Sequence, residues 1–464
     1  MNKSLATFKK RPLNSYCFFG GWQMATVVLR GSALMTGHGL EKEWGLKMEN
    51  GRISQIGPNK ELIVQDQDQV MELKGQIILP GFVNGHNHMY GFLSHGITAD
   101  AMVTEFESFL DDFWWPYVED RINHKLVEAT TTWACVEMID SGVTSFVDIL
   151  EGPNSIPEVL EVERKVVEKS GLRGRLSFEA CERVSKENGQ LGLQENIEFV
   201  KKYNHPGELV QGLNSIHTLF TCSKEYVKQA KKLSKENDCQ THMHLSESVF
   251  EPNWCREHYG KSPVEIYDEL GYLDENILAS QVVQVSDHEL DILAKRGVRV
   301  VSMPISNCEV GGGFAPLTKM LDRGMTVGLG TDGYVNNFFE VMRGAFLMHK
   351  ANQQDPQVMP AKKVYEMATS MGAQAAGIPE AGELKVGNVA DVITVAMDQP
   401  TPVNEHNVYD QLVLFTNPEM VKNVFVNGKC LKKDGVITVI DKEAAKHTLR
   451  DITEKFWNVR EANV

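Results

Sequence analysis

From about residue 81 to residue 380, short apolar runs alternate with longer stretches of helix-forming composition. The runs include TSFVDIL (144–150), LRGRLSFEA (172–180), LVQGLNSI (209–216), DCQTHMHL (238–245), VRVVSMP (298–304) and MTVGLG (325–330). Strand–helix alternation over about 300 residues predicts a parallel (β/α)8 TIM barrel, because parallel strands need a crossover long enough to hold a helix. The flanks read differently. Residues 25–80 carry two alternating segments joined by a hairpin-type turn at Glu49-Asn50-Gly51, and the stretch after 381 carries GELKVGNVADVITVAM and MVKNVFVNGKC, the latter turning at Asn427-Gly428. The expected organisation is an N-terminal extension (1–24), a composite β-sandwich domain from 25–80 and 381–440, a barrel over 81–380 and a C-terminal helix over 441–464. In that helix Ala445, Leu449, Ile452, Phe456 and Val459 recur at helical spacing, which predicts docking rather than chemistry.

In a barrel of this kind chemistry sits at the carboxyl ends of the strands, so polar residues just after apolar runs are the candidates. QIILPGFV reads as a buried strand, and GHNH follows it, placing His86 and His88 two residues apart on one side of an extended chain. By itself the pair is equally compatible with polar residues in a turn. Three further strand ends decide in favour of a site. THMHLSES carries His242, His244 and, three residues on, Glu247; GLGTDG carries Asp332; SIHTLF carries His217. Neutral imidazoles and one carboxylate are good ligands for zinc or ferrous iron. Three histidines and an aspartate leave one position for a water, whose pKa the metal brings down to about 7. An unligated carboxyl group beside it, here Glu247, moves a proton from that water to a leaving nitrogen.

These blocks together resemble the metal-dependent amidohydrolase superfamily, in its branch of cytosine, guanine and adenosine-type deaminases and triazine chlorohydrolases. The similarity runs from about residue 25 to 435, through ILPGFVNGHNH, EMIDSGVTSFVD, HTLFTCS, HLSES, MPISN, LGTDG and GELKVGNVADV. FLDDFWWPYVED and GTDGYVNNFFEVMRGAFLMHK are most similar to the aminohydrolase family associated with selenium metabolism. The resemblance implies that His86, His88, His244 and Asp332 bind one divalent metal ion, zinc ahead of iron, and that Glu247 is the proton shuttle with Asp332 also in the catalytic set. It implies a substrate contact by His217. One departure stands out: where the branch carries a sixth-strand histidine beside the hydrolytic water, this chain has Gln281, which hydrogen-bonds but cannot carry a proton to and fro. His288, seven residues later, reads as a solvated helix start. His95 and Trp115 are the other substrate candidates, at the pocket mouth and in an aromatic patch that offers a flat stacking surface. His242 reads as structural, as do Phe338 and Phe339.

The implied reaction is hydrolytic deamination of an amino-substituted heterocycle of purine, pyrimidine, pterin or triazine type by a metal-bound hydroxide. Hydrolysis of another C–N, C–Cl or C–S bond on the same scaffold is the alternative that Gln281 keeps open, and a non-catalytic scaffold is the remote one. A formal charge of −15, with no basic cluster beyond Lys9-Lys10-Arg11, excludes nucleic acid and anionic membrane as main partners. It favours a neutral or cationic small molecule. Eight scattered cysteines without a Cys-x-x-Cys pair fit reduced thiols in the cytoplasm. The branch implies a homodimer or homotetramer.

Overall fold

The computed structural model describes residues 26–458; the expected N-terminal extension and Val459 of the tail stripe lie outside them. Eight parallel strand positions make the barrel: Phe82–Asn87, Val143–Leu150, Arg173–Ala180, the pair Val210–Gly212 and Asn214–Ile216, then Thr241–Leu245, Ile277–Gln281, Arg299–Ser302 and Val327–Leu329. The second strand is buried at all eight residues, as expected of a strand covered by side chains on one face and by helices on the other. A parallel bridge between Asn87 and Asp332 joins the last strand position to the first. Thr331 N–H donates to the His86 carbonyl at 3.0 Å, and Thr331 Oγ1 donates to Asn87 Oδ1 at 3.1 Å. Phe82 packs between Phe338 and Phe339, all fully buried. Each buried phenyl contributes about 1.5–3 kcal/mol, so that pair belongs to the core.

QIILPGFV is not one strand. The chain leaves the small domain with Gln69–Pro80 and enters the barrel with Phe82–Asn87. Gly81 makes the transfer because a Cβ there would lie 2.0 Å from Thr144 Oγ1. The small domain also departs from expectation in its bonding. Among the described residues it is a single continuous nine-stranded sheet in which Gln69–Pro80 pairs with Val27–Thr36 on one side and with Val392–Ala396 on the other. The expected sandwich is thus one sheet closing over Leu29, Leu46, Ile78 and Phe425, rather than two separately bonded layers. The hairpin turns fall where expected, with Asn50 and Gly51, and Asn427 and Gly428, all at positive φ. Within 381–440, residues Val408–Phe415 form a helix instead of sheet and pack on the barrel, where Tyr409 meets Tyr365 edge-on at 5.5 Å.

Two elements shape the mouth of the barrel. Residues Phe106–Tyr117 coil through a wide helical turn in which Phe109 stacks on Trp114 at 5.5 Å. The C-terminal helix, Lys442–Trp457, starts where Asp441 accepts the Ala444 N–H and ends where Trp457 Nε1 donates to the Leu93 carbonyl at 2.7 Å. Ala445 and Phe456 are buried on its inner side. No helix of the described residues is long and apolar enough to cross a membrane.

Candidate active site

At the carboxyl ends of the strands four groups from three strand ends converge. His86 Nε2 and His88 Nε2 are 3.2 Å apart, and Asp332 Oδ1 lies 3.4 Å from the second and 4.0 Å from the first. Ligand atoms of His86, His88 and His244 all lie within 4.8 Å of one another. His88 Nδ1 sits 2.5 Å from the Ile149 carbonyl, an acceptor only. Nδ1 must therefore carry the proton, which leaves the Nε2 lone pair facing the cluster. Burial, then the neighbouring imidazoles, holds the His86 pKa well below its ordinary value, and burial brings His244 down to about 4. Neutral imidazoles gathered round one point, with a carboxylate among them, are a donor set that fits a divalent metal ion.

The aspartate is held firmly. Its backbone is in the left-handed region at φ 60°, Gly333 N–H donates to Oδ1 at 2.8 Å, and Gln281 Nε2 and Ser306 Oγ both donate to Oδ2, at 2.7 and 3.0 Å. Gln281 closes the sixth strand, also at positive φ, 73°. Glu247 stands on the wall of a cavity of about 240 Å³ that opens over the cluster, and burial, followed by the charge of Asp332, raises its pKa well above the carboxylate range. A carboxyl group in that state keeps its proton to a higher pH than an exposed one and can deliver it.

His217, His95 and Trp115 line the same cavity. His217 Nδ1 is hydrogen-bonded to Thr221 Oγ1 at 2.8 Å, which turns the other ring nitrogen away from the threonine. His95 Nε2 donates to the Gly333 carbonyl at 2.8 Å. Trp115 carries the Arg183 guanidinium 4.6 Å from its ring centre. His242 is outside the cavity lining, stacked 5.0 Å from His86 and bonded through Nδ1 to Ser215 Oγ at 2.8 Å. His288 is exposed in the helix Asp287–Arg296.

Sequence reasoning missed a second group of acids on this wall. Glu119 accepts from Tyr90 Oη and Trp114 Nε1, at 2.8 and 2.5 Å; Glu151 follows the second strand directly; Glu179 is the penultimate residue of the third. Burial, followed by the charge of Glu151, raises the pKa of Glu119 and of Glu179. The strand-end rule pointed at Glu151 and Glu179 as directly as at Asp332.

Residues 77–431 match the model of the amidohydrolase family. The chain is 33% identical, over 440 residues covering 93% of it and 98% of the relative, to a 5'-deoxyadenosine deaminase of Methanosarcina acetivorans. It is 33% identical over 389 residues, 82% of this chain and 88% of the other, to a 5-methylthioadenosine/S-adenosylhomocysteine deaminase of Thermococcus sibiricus. Among solved structures, a zinc-bound adenosine deaminase from Xanthomonas campestris superposes with a TM-score of 0.85 at 21% identity, covering 94% of this chain and 99% of that one. A zinc complex of atrazine chlorohydrolase from Arthrobacter aurescens does so with a TM-score of 0.82 at 19% identity, covering 92% and 100%. At those identities the structures speak for the fold.

Proposed function

This chain belongs to the amidohydrolase family and is a hydrolytic deaminase acting on a carbon–nitrogen bond; we propose that its substrate is an aminopurine of the adenosine type, deaminated in the cavity above His86, His88, His244 and Asp332. The observation that carries this reading is the position of Glu247, its pKa raised by burial, on the wall of the cavity that opens over those four groups. The relatives named for adenosine derivatives supply the class of ring.

A divalent ion held by these four residues, zinc in this reading, supplies the Lewis acidity that makes water nucleophilic at neutral pH. The remaining work falls to the chain. Glu247 gives its proton to the ring nitrogen, takes one from the attacking water and passes it to the amino group, and regains its own from the new hydroxyl as ammonia leaves and the carbonyl forms. Asp332 stays ionised under three donors, from Gly333, Gln281 and Ser306. His217, buried and depressed in pKa by that burial, stays neutral and offers one ring nitrogen to the substrate. Phe109, Phe113 and Trp114 wall the cavity where a flat ring would lie and exclude bulk water from it. The same reading has the enzyme act in the cytoplasm as a homodimer or homotetramer, which light scattering on the purified protein checks.

The test is ammonia release by zinc-loaded protein from 5'-deoxyadenosine, methylthioadenosine, S-adenosylhomocysteine, adenosine, guanine, cytosine, a pterin and an aminotriazine. Turnover of the adenosine-type members ahead of the rest is the expected result. No ammonia from any of them, with the metal fully occupied, overturns it.

A further inference from the structure

A second cavity, of about 650 Å³, lies at the opposite end of the barrel, between the starts of the third and fourth strands and the hairpin turn at Asn50 and Gly51 of the small sheet. Three guanidiniums line it, those of Arg52, Arg173 and Arg175. They differ in what holds them. Arg52 pairs with Glu380 at 3.0 Å. Arg173 grips Asp391 with two prongs, Nε and Nη2, at 2.8 and 3.1 Å. Arg175, two residues on and on the same side of the strand, pairs with no carboxylate among the described residues. The bonds it makes leave from Nη1, to the Gln240 side-chain oxygen at 2.9 Å and to the Ala376 carbonyl at 3.3 Å. Its Nε–Nη2 edge, the one by which Arg173 holds the aspartate, meets no acceptor, and Nε is buried in that state.

Charge tells the same story as hydrogen bonding. The ionisable groups whose fields reach Arg175 are the Cys239 thiol, pushed up to about 11 by burial, and the Arg299 guanidinium. Neither is negative at neutral pH. Burial lowers the pKa of Arg175 itself to about 10, which leaves it charged. Glu208 also lines the cavity, but it is exposed and makes no pair with Arg175. A guanidinium drawn out of water without a counter-charge destabilises a fold. The chain nevertheless makes room for this one: Gly377 stands at φ 71°, where a Cβ would lie 2.4 Å from Arg175 Nη1. Capping of the helix Ser370–Ala375 accounts for Nη1 only. Its Ala375 carbonyl is served by an uncharged donor, Gln240 Nε2 at 2.9 Å, so the carbonyls there do not call for a cation.

We propose that this cavity is a binding site for a small oxyanion, a carboxylate or phosphate group that sets two oxygens against the Nε–Nη2 edge of Arg175 as Asp391 does against Arg173. A planar guanidinium edge matches the spacing of two oxygens on one carbon or phosphorus, and an anion there supplies the missing counter-charge together with the missing acceptor. The site lies at the far end of the barrel from His86, His88, His244 and Asp332. It is separate from the deaminase chemistry and stands or falls without it.

Inorganic phosphate, glycerol 3-phosphate and succinate are the probes, titrated calorimetrically into zinc-loaded parent protein and zinc-loaded Arg175→Gln at one fixed chloride concentration. Coordination of a probe to zinc is common to the two proteins, so the difference between them reports Arg175. At least one probe is expected to bind the parent about tenfold or more tightly than it binds the variant. The one that binds best names the source: the free ion, a phosphate ester or a carboxylate. Without anion, the thermal midpoint of the variant should equal or exceed that of the parent, because an unpaired charge has gone. Added anion should raise the parent's midpoint more than the variant's. Equal affinities in the two proteins for all three probes overturn the inference, and a midpoint that falls at the same time leaves Arg175 as a helix cap and nothing more. If Arg175→Gln does not fold, Arg175→Lys decides. It keeps the charge and loses the two-pronged edge, so it should bind the best probe about three- to tenfold more weakly; parent-like affinity there overturns the inference as well.

Discussion

At the amino-terminal end of the barrel, Arg173 and Asp391 tie the third strand to the small sheet, and each polar atom of the aspartate has a partner. Arg173 Nε and Nη2 donate to its two oxygens at 2.8 and 3.1 Å, Asn427 N–H adds a bond at 2.9 Å and Ser145 Oγ a longer one at 3.4 Å. At the carboxyl end, equally buried, His86 Nδ1, His242 Nε2 and Gln281 Oε1 have none. Both regions bury charge among hydrophobic strands, where a polar group without a partner costs about 1–3 kcal/mol. The junction avoids that cost within the chain. The site bears it, and of its open atoms Gln281 Oε1 belongs to a residue that lines the cavity, so the partnering that is complete at the junction is left open at the site.

The sharpest way to break this comparison is to remove a ligand. His86→Ala or Asp332→Ala should reduce bound zinc, measured by plasma emission, to below about a tenth of an equivalent and abolish ammonia release, while the metal-free thermal midpoint holds or rises. A variant that keeps its metal would show that these groups do not act together. Next in size is Glu247→Gln, expected to slow deamination by about 10²–10⁴-fold with zinc retained, since only the proton path is lost. The junction answers in the opposite currency. Asp391→Ala leaves Arg173 buried without a counter-charge and should cost about 3–5 kcal/mol in urea unfolding, with kcat near the parent value. A fall in kcat without a fall in stability would erase the distinction between the two ends.

How far the sequence shows this depends on which rule a residue obeys. His86, Glu247 and Asp332 are visible because each comes just after an apolar run, and the barrel brings the ends of such runs to one face. Glu151 and Glu179 obey the same rule but drop out of view, because no histidine stands near either along the chain. Glu119 obeys no rule of period or position: it lies in the turn after Trp115–Tyr117, and only the fold brings it to the wall. Pairing partners are hidden for a similar reason. Alternation identifies Gln69–Pro80 and Val392–Ala396 as strands, yet nothing in either says that they bond to each other across more than 300 residues, which is what makes the small domain one sheet. Gly81 carries the boundary between the two sheets, and its need for the absence of a Cβ is a matter of contact with Thr144, invisible along the chain.

Gln281 gives the smallest and most discriminating effect. It stands between the two rules: its Nε2 is satisfied by Asp332, as junction atoms are, while its Oε1 is left open, as site atoms are. Gln281→Ala removes one of two donors from Asp332 Oδ2, and Ser306 Oγ, 3.0 Å away, keeps the other. A loss of about 10–100-fold in zinc affinity or turnover is therefore expected, smaller than for Glu247, and it is read by chelator competition alongside kcat. The division of that loss matters. If zinc affinity falls and kcat holds, Gln281 acts through Nε2 as part of the scaffold that orients the aspartate. If zinc affinity holds and kcat/KM falls, the open Oε1 is the working atom and receives an N–H from the substrate. Gln281→Glu separates the two further, because it puts a second carboxylate beside Asp332 and removes the donor while keeping an acceptor in place; substrate affinity that survives this change as zinc affinity collapses would assign one atom of the side chain to each partner.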